Sequence, residues 1–189
     1  AFVGAHVIPM TGPWTHDDYT VIVRDGVIAA VGPSAELEPA ATDRVIDARA
    51  RVLMPGLAEM HAHVPPPAQP NLPAGYQQDV LLLWVANGIT LARGMLGQPQ
   101  HLDLREQLLR HEVLGPRLIT SGPSFNGRTV TSPAQARARV AAQAAAGYDF
   151  LKMHPGLSRA DFDAIAAAAA EADIPFAGHV SVGVGLEHT

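Results

Sequence analysis

The stretch that decides the fold is Leu53–Val64, LMPGLAEMHAHV. A short apolar run passes through a Pro-Gly step into His61 and His63, with one small residue between them. Because side chains alternate faces along a strand, these two imidazoles are expected on the same face. Two imidazoles at the end of a buried strand can bind one metal ion together. The plainer alternative is a pair of hydrogen-bonded histidines in the core or on the surface.

From residue 52 onward, apolar strand-like runs alternate with helical runs. This alternation predicts βα units and a parallel sheet. The predicted strands are 52–60, 89–93, 117–121, 149–153 and 175–179, and the predicted helices are 79–87, 101–112, 132–146 and 158–172. The candidate site residues stand near the C-terminal ends of these strands, where a (β/α)8 TIM-like barrel carries its active site. We therefore predict an α/β fold with five of the βα units of such a barrel; the rival is a doubly wound open sheet, but no GxGxxG follows any of the strands.

Residues 1–51 have a different pattern, without the alternation of strand-like and helical runs. Short β-branched runs flank Asp25-Gly26, which is a strong signal for a hairpin. We predict a small antiparallel, β-sandwich-like domain over 1–51, followed by the first part of a barrel over 52–189.

Composition excludes several classes of function. The chain is 48% hydrophobic and 16% charged, with a net charge of -5 and no cysteine. It therefore folds around a core, and no basic stripe points to nucleic acid or to a lipid surface. No apolar run reaches the length of about 18 residues that a membrane span needs. Any metal must be held by His, Asp, Glu or a rarer ligand.

A second group of candidates lies far along the chain. Lys152 falls in the apolar run Phe150–Met153, and His179 ends the run 174–179. A lysine in a buried strand loses hydration, which favours the neutral amine. A neutral amine can add carbon dioxide and become an anionic carbamate with two oxygens. The alternatives are a lysine that reaches solvent or that pairs with a carboxylate; His154, on the same face as Lys152, is either a substrate or outer-shell residue or an ordinary loop histidine.

The combination resembles the amidohydrolase superfamily of metal-dependent hydrolases, in its prolidase-like, carboxylated-lysine branch. The resemblance rests on the hallmark 55–63 (PGLAEMHAH), the hairpin 25–32 before it and the second-strand motif 88–93. It departs from the family at Glu59, where aspartate is usual, and at Gly94, where aspartate is common.

The resemblance implies the roles of the site residues. His61 and His63 would bind the more buried metal, Lys152 would bridge two metals as a carbamate, and His179 would bind the second metal. Zinc is the expected ion, with other divalent metals possible, and carbon dioxide is the source of the carbamate. Arg93 and His154 would contact the substrate or the ligands.

The implied activity is hydrolysis of a C–N bond by the hydroxide of a binuclear zinc site. The expected partner is a small-molecule amide such as an Xaa-Pro dipeptide, an N-acyl amino acid or an ochratoxin-type amide. Two alternatives stay open: the same fold acting on a cyclic imide, lactone or phosphoester, or an inactive chain with a binding or structural role. The proline-rich loop 65–73 is predicted to form one wall of the pocket.

The family's histidine from strand six and aspartate from strand eight have no match in these residues. We therefore expect the chain to be the N-terminal part of a longer protein whose remainder completes the barrel. We also expect a homo-oligomer that binds neither nucleic acid nor membrane. The compartment stays open between the cytoplasm, which is favoured, and the periplasm or the exterior if a signal peptide has been removed.

Overall fold

The computed structural model describes residues 1–68 and 70–189. The chain divides into two compact units, Ala1–Gly56 and Leu57–Thr189. The first unit has one cluster of buried apolar side chains, and the second unit has two. The candidate site residues all lie in the second unit.

The first unit is a single five-stranded sheet. Its strands are β1 (Phe2–Val7), β2 (His16–Arg24), β3 (Val27–Pro33), β4 (Ile46–Asp47) and β5 (Val52–Leu53). Strands β1, β2 and β3 pair antiparallel, whereas β4 and β5 both run parallel to β1. The prediction of a small antiparallel β unit is therefore confirmed for β1, β2 and β3 and is wrong for β4 and β5, which run in the same direction as β1.

The second unit alternates strands with helices. Its strands are β6 (Leu57–Ala62), β7 (Ile89–Gly94), β8 (Arg117–Thr120), β9 (Leu151–Met153) and β10 (Phe176–Gly178). Its helices are α1 (Tyr76–Ala86), α2 (Gln100–Leu109), α3 (Pro133–Ala145) and α4 (Arg159–Glu171), followed by a 3₁₀ turn at Leu186–His188. The order βαβα predicted from the sequence is confirmed.

All pairings in the second unit are parallel. Strands β6, β7 and β8 form one sheet, and β9 and β10 form another. Isolated parallel bridges from Ser121 to Phe150 and from Phe125 to Met153 connect the end of β8 to β9. The C-terminal ends of the five strands consequently lie along one side. Within the described residues, the strands do not close into a barrel.

Two serine caps explain where the later helices begin. Ser132 precedes α3 and accepts a hydrogen bond from the backbone N–H of Gln135 (3.3 Å), with Pro133 as the first helical residue. Ser158 precedes α4, accepts from the N–H of Asp161 (3.2 Å) and donates to its carboxylate (2.6 Å). The two caps stand at the residues where the predicted helices 132–146 and 158–172 begin, so these two helix starts are confirmed.

The structure corrects two local predictions. The single strand predicted over 52–60 is two strands, because Pro55 has no N–H to pair and the chain leaves the first sheet before β6. The sequence alone predicts that His101 is a surface or helix-capping residue, but it is fully buried in α2. No helix in the described part of the chain has the length and apolar character that crossing a bilayer requires.

Candidate functional site

His61 and His63 occupy the C-terminal end of β6. Ala62 between them is buried with Leu81 and Ala92 under the helices. The two imidazoles therefore point away from that core, and their ring centroids lie 5.4 Å apart. Both side chains are exposed in this chain. Glu59 accepts a hydrogen bond from the backbone N–H of His61 at 2.8 Å, which fixes the strand end.

Lys152 is the central residue of β9, and it is completely buried. Its neighbours Leu151 and Met153 belong to the core between β9 and the helices α3 and α4, so that Lys152 takes the opposite face. Its Nζ atom has no hydrogen-bond partner among the described residues. The carboxylate pairing considered for this lysine is thus absent from that part of the chain.

Two further histidines follow the ends of β9 and β10. His179 donates its backbone N–H to the carbonyl oxygen of Met153 (3.1 Å), which ties it to β9. Its ring centroid lies 5.1 Å from that of His154 and 6.1 Å from that of His61. Four imidazoles from three strand ends therefore form one continuous cluster, which includes His63.

Arg93 lies next to the last residue of β7. Its guanidinium lies 5.2 Å from the ring centroid of Phe150, in a cation–π contact, and its Nε is 3.4 Å from the sulfur of Met95. The side chain is partly buried. Its positive charge contributes to lowering the pKa of the Lys152 amine.

The electrostatics of the cluster favour uncharged bases. Desolvation, and then the positive charge of Arg93, lower the pKa of the Lys152 amine. Desolvation and the charge of Lys152 likewise lower the pKa values of His61 and His154, and the neighbouring imidazoles add to the effect. The site is consequently rich in nitrogen lone pairs, which are what a metal ion or an electrophile needs.

One residue beside this cluster was not singled out from the sequence. Arg128, in the loop between β8 and α3, lines an open concavity together with His154. The position of Arg128 in the sequence could have indicated this, since loops that follow parallel strands carry the functional groups of such folds.

The loop 65–73, predicted to form one wall of the pocket, includes Gln69, which lies outside the described residues. In the described part of this loop, the carbonyl oxygen of Pro65 accepts a hydrogen bond from the side chain of Gln77 at 2.5 Å.

Among the described residues, no group of three or more His, Cys, Asp or Glu side chains is arranged to hold a single metal ion. His188 pairs with Asp163 (2.6 Å) instead of facing the cluster. The cluster thus consists of four imidazoles, and the carboxylate of Glu59 is bonded to the backbone N–H of one of them, His61.

Comparison with known proteins gives a short match in sequence. No protein-family model matches the chain. Over 49 residues, which are 26% of this chain and 12% of the relative, it is 49% identical to an imidazolonepropionase of Salinispora tropica.

Solved structures give a much longer match. The chain is similar to a Xaa-Pro dipeptidase with bound methionine (TM-score 0.80, 16% identity, 95% of this chain and 56% of that one). It is similar to a putative prolidase from Bifidobacterium longum (0.79, 24%, 96% and 49%). It is also similar to a prolidase complexed with N-methylphosphonate-L-proline (0.82, 19%, 95% and 55%). The resemblance to the amidohydrolases is confirmed at the level of the fold, and the chain has the fold of about half of a prolidase-like amidohydrolase.

Proposed function

We propose that the protein to which this chain contributes is a metal-dependent hydrolase of amide C–N bonds. The observation that carries the proposal is Lys152, a completely buried amine without a hydrogen-bond partner in the described residues, beside a cluster of four imidazoles. A buried amine left in this state is costly unless it is neutral or chemically modified.

Lys152 is also the only lysine in the sequence, whereas the twelve other basic side chains are arginine. Arginine cannot give up its proton in a protein, whereas the pKa of a lysine falls readily when the amine is buried. The use of lysine at this one buried position therefore favours chemistry that requires a neutral amine.

The chemistry of the amine is simple. The lone pair on Nζ attacks carbon dioxide, a nitrogen–carbon bond forms, and one proton leaves the nitrogen for solvent. The product is an anionic carbamate with two oxygen ligands. Desolvation and the charge of Arg93 lower the pKa of Lys152 and so increase the fraction of amine able to react.

The donor set fits a pair of divalent cations. His61 and His63 would bind one ion, His179 the other, and the Lys152 carbamate both, so that no ion takes three imidazoles from this cluster. Imidazole nitrogen and carboxylate-like oxygen suit zinc, although other divalent metals accept the same ligands. When bound, such a pair would polarise an amide carbonyl and make water a stronger acid.

The other residues would act on the substrate directly. His154, which is partly buried and has a lowered pKa, stays neutral and can accept a proton or a hydrogen bond at the edge of the cluster. The guanidinium of Arg93 would support the anion formed on Lys152. The Xaa-Pro dipeptide class is favoured as substrate because three of the similar structures are named a prolidase, a putative prolidase or a Xaa-Pro dipeptidase. N-acyl amino acids and ochratoxin-type amides present the same bond.

The test is the Lys152→Met substitution in the full-length protein. We expect metal content and amide hydrolysis to fall by more than about 100-fold, since one residue supplies ligands to both ions. Lys152→Arg is the matched control, because it keeps a cation but cannot form the carbamate, and it should fail equally. Labelled bicarbonate should give the wild type one labelled carbamate at this site. Full metal content and activity in either variant would overturn the proposal.

A further inference from the structure

The loop between β8 and α3 is fastened directly to the strand that carries Lys152. The backbone N–H of Phe125 donates to the carbonyl oxygen of Lys152 (2.8 Å), and the N–H of His154 donates to the carbonyl oxygen of Phe125 (2.8 Å). These two hydrogen bonds pair Phe125 with Met153 of β9 and so continue the parallel pairing beyond the end of β8. The side chains of this loop are therefore held at a fixed distance from the imidazole cluster.

The turn after Phe125 is fixed from within. The side-chain oxygen of Asn126 accepts hydrogen bonds from the backbone N–H groups of Arg128 (2.9 Å) and Thr129 (3.1 Å). Thr129 in turn donates its hydroxyl to the carbonyl oxygen of Ser124 (3.0 Å). Gly127 packs so closely that an added Cβ would stand 2.2 Å from the carbonyl oxygen of Gly156. The backbone that presents Arg128 is consequently pre-organised.

Arg128 and His154 line the same concavity. It has a volume of about 520 Å³ and is bounded by Asn126–Arg128 on one side and His154–Gly156 on the other. Arg128 is exposed, and no carboxylate in the described part of the chain pairs with its guanidinium. The ring of His154 lies 5.1 Å from that of His179, so one residue that lines the concavity also belongs to the imidazole cluster.

We propose that Arg128 is a specificity-determining residue that binds a carboxylate of the substrate beside the scissile amide. The inference rests on the proposed function and narrows it to substrates with a free acid group next to the bond. A planar guanidinium with a full set of free N–H groups matches a carboxylate bidentately. A single arginine on a chain with a net charge of -5 provides little attraction for a polyanion.

The experiment compares two substrates that differ only in that group. Glycyl-L-proline and glycyl-L-prolinamide share the scissile bond, as do N-acetyl-L-phenylalanine and its amide. Whichever of the two pairs is hydrolysed, we expect the full-length, metal-loaded wild type to have a kcat/KM about tenfold or more higher for the acid than for the amide. The reason is that the amide cannot form the charged hydrogen-bonded pair with Arg128. In Arg128→Gln this preference should disappear through a higher KM for the acid, with kcat nearly unchanged.

Two variants make the test specific. Arg128→Lys keeps the charge without the bidentate fork and should retain part of the preference. Arg110→Gln is the matched control, because Arg110 is an exposed arginine that pairs with Glu112 at the end of α2, and it should behave as the wild type. Equal turnover of acid and amide by the wild type, or an equal loss of both in Arg128→Gln, would overturn the assignment.

Direct binding separates this inference from the proposed function. The same acid and amide pairs are titrated calorimetrically against the wild type and Arg128→Gln. If the protein hydrolyses none of the compounds but binds the acids more tightly through Arg128, the subsite stands and the proposed reaction fails. If hydrolysis proceeds without discrimination and binding shows none either, the reaction stands and the subsite is refuted.

Discussion

Buried polar atoms are rare enough that each calls for a reason. In the second unit Lys152 and His101 are both fully buried, and neither the amine nor either ring nitrogen has a hydrogen-bond partner among the described residues. Lys152 borders the imidazole cluster, which gives it a chemical role. His101 lies in α2, away from those residues, and its effect is on stability.

His101 should make the protein sensitive to acid. Burial lowers the pKa of its imidazole below the ordinary value of 6.5, so the unfolded chain binds a proton at a higher pH than the folded one. The stability is therefore fully present above pH 6.5 and is lost as the pH falls from there toward the folded-state pKa. His101→Leu should flatten this decline and, at pH 8, leave stability equal or higher by about 1 kcal/mol.

Denaturant titrations at pH 8 and pH 5 would check this. His111→Asn is the control, since His111 is exposed and has a positive φ that asparagine tolerates. It should decline with acid as the wild type does. An unchanged pH dependence in His101→Leu would refute the assignment.

At the scale of elements, the strand ends and two of the helix starts were readable from sequence, and the pairing of the short strands was not. Apolar runs and serine caps are local signals, and they located β7, β8 and the starts of α3 and α4 well. The parallel return of β4 and β5 to β1 depends on which distant backbone edge is free, and no local pattern carries that information. The burial of His101 could not be predicted for the same reason: it depends on how the other elements pack around α2, and no local pattern carries that information.

The pair β9–β10 positions Lys152 and His179, and Gly178 sets how closely the two strands approach. A Cβ at Gly178 would stand 2.1 Å from the carbonyl oxygen of Met153, its partner in the pairing. Gly178→Ala should force the strands apart, cost about 1–3 kcal/mol as overpacking does, and displace His179. Metal content should fall together with stability.

Gly147→Ala is the matched control for that substitution. Gly147 also has a positive φ (82°), but an added Cβ would meet nothing within 4 Å. It should cost about 1 kcal/mol through backbone strain alone and leave metal content unchanged. Equal losses of stability and metal in the two variants would show that the approach of β10 to β9 is not what Gly178 determines.

At the scale of the whole molecule, the chain spans about half the length of the solved structures it matches. The clustering of the four histidines could be predicted from the sequence, because they stand at strand ends that the βα order brings to one side. Arg128 could not be assigned in this way, since its place depends on how the turn after β8 packs against the loop after β9. The identity of the bond that is cleaved depends on groups that the fold does not specify.

Metal should stabilise the full-length protein by mass action. A ligand that binds only the folded state at a thousand times its dissociation constant adds about 4 kcal/mol. A chelator should therefore lower the Tm of the full-length protein and abolish activity, and zinc with bicarbonate should restore both faster than zinc alone. Elemental analysis without bound metal, together with an unchanged Tm after chelation, would contradict a metal centre.

The first sheet depends on its earliest strand. Strand β1 is hydrogen-bonded to β2 on one side and to both β4 and β5 on the other, and the amino group of Ala1 donates to the carbonyl oxygen of Arg44. Loss of β1 would therefore leave β4 and β5 without the neighbour they share. During synthesis β1 leaves the ribosome before β4 and β5, so this edge of β1 stays unpaired until residues 46–53 have followed.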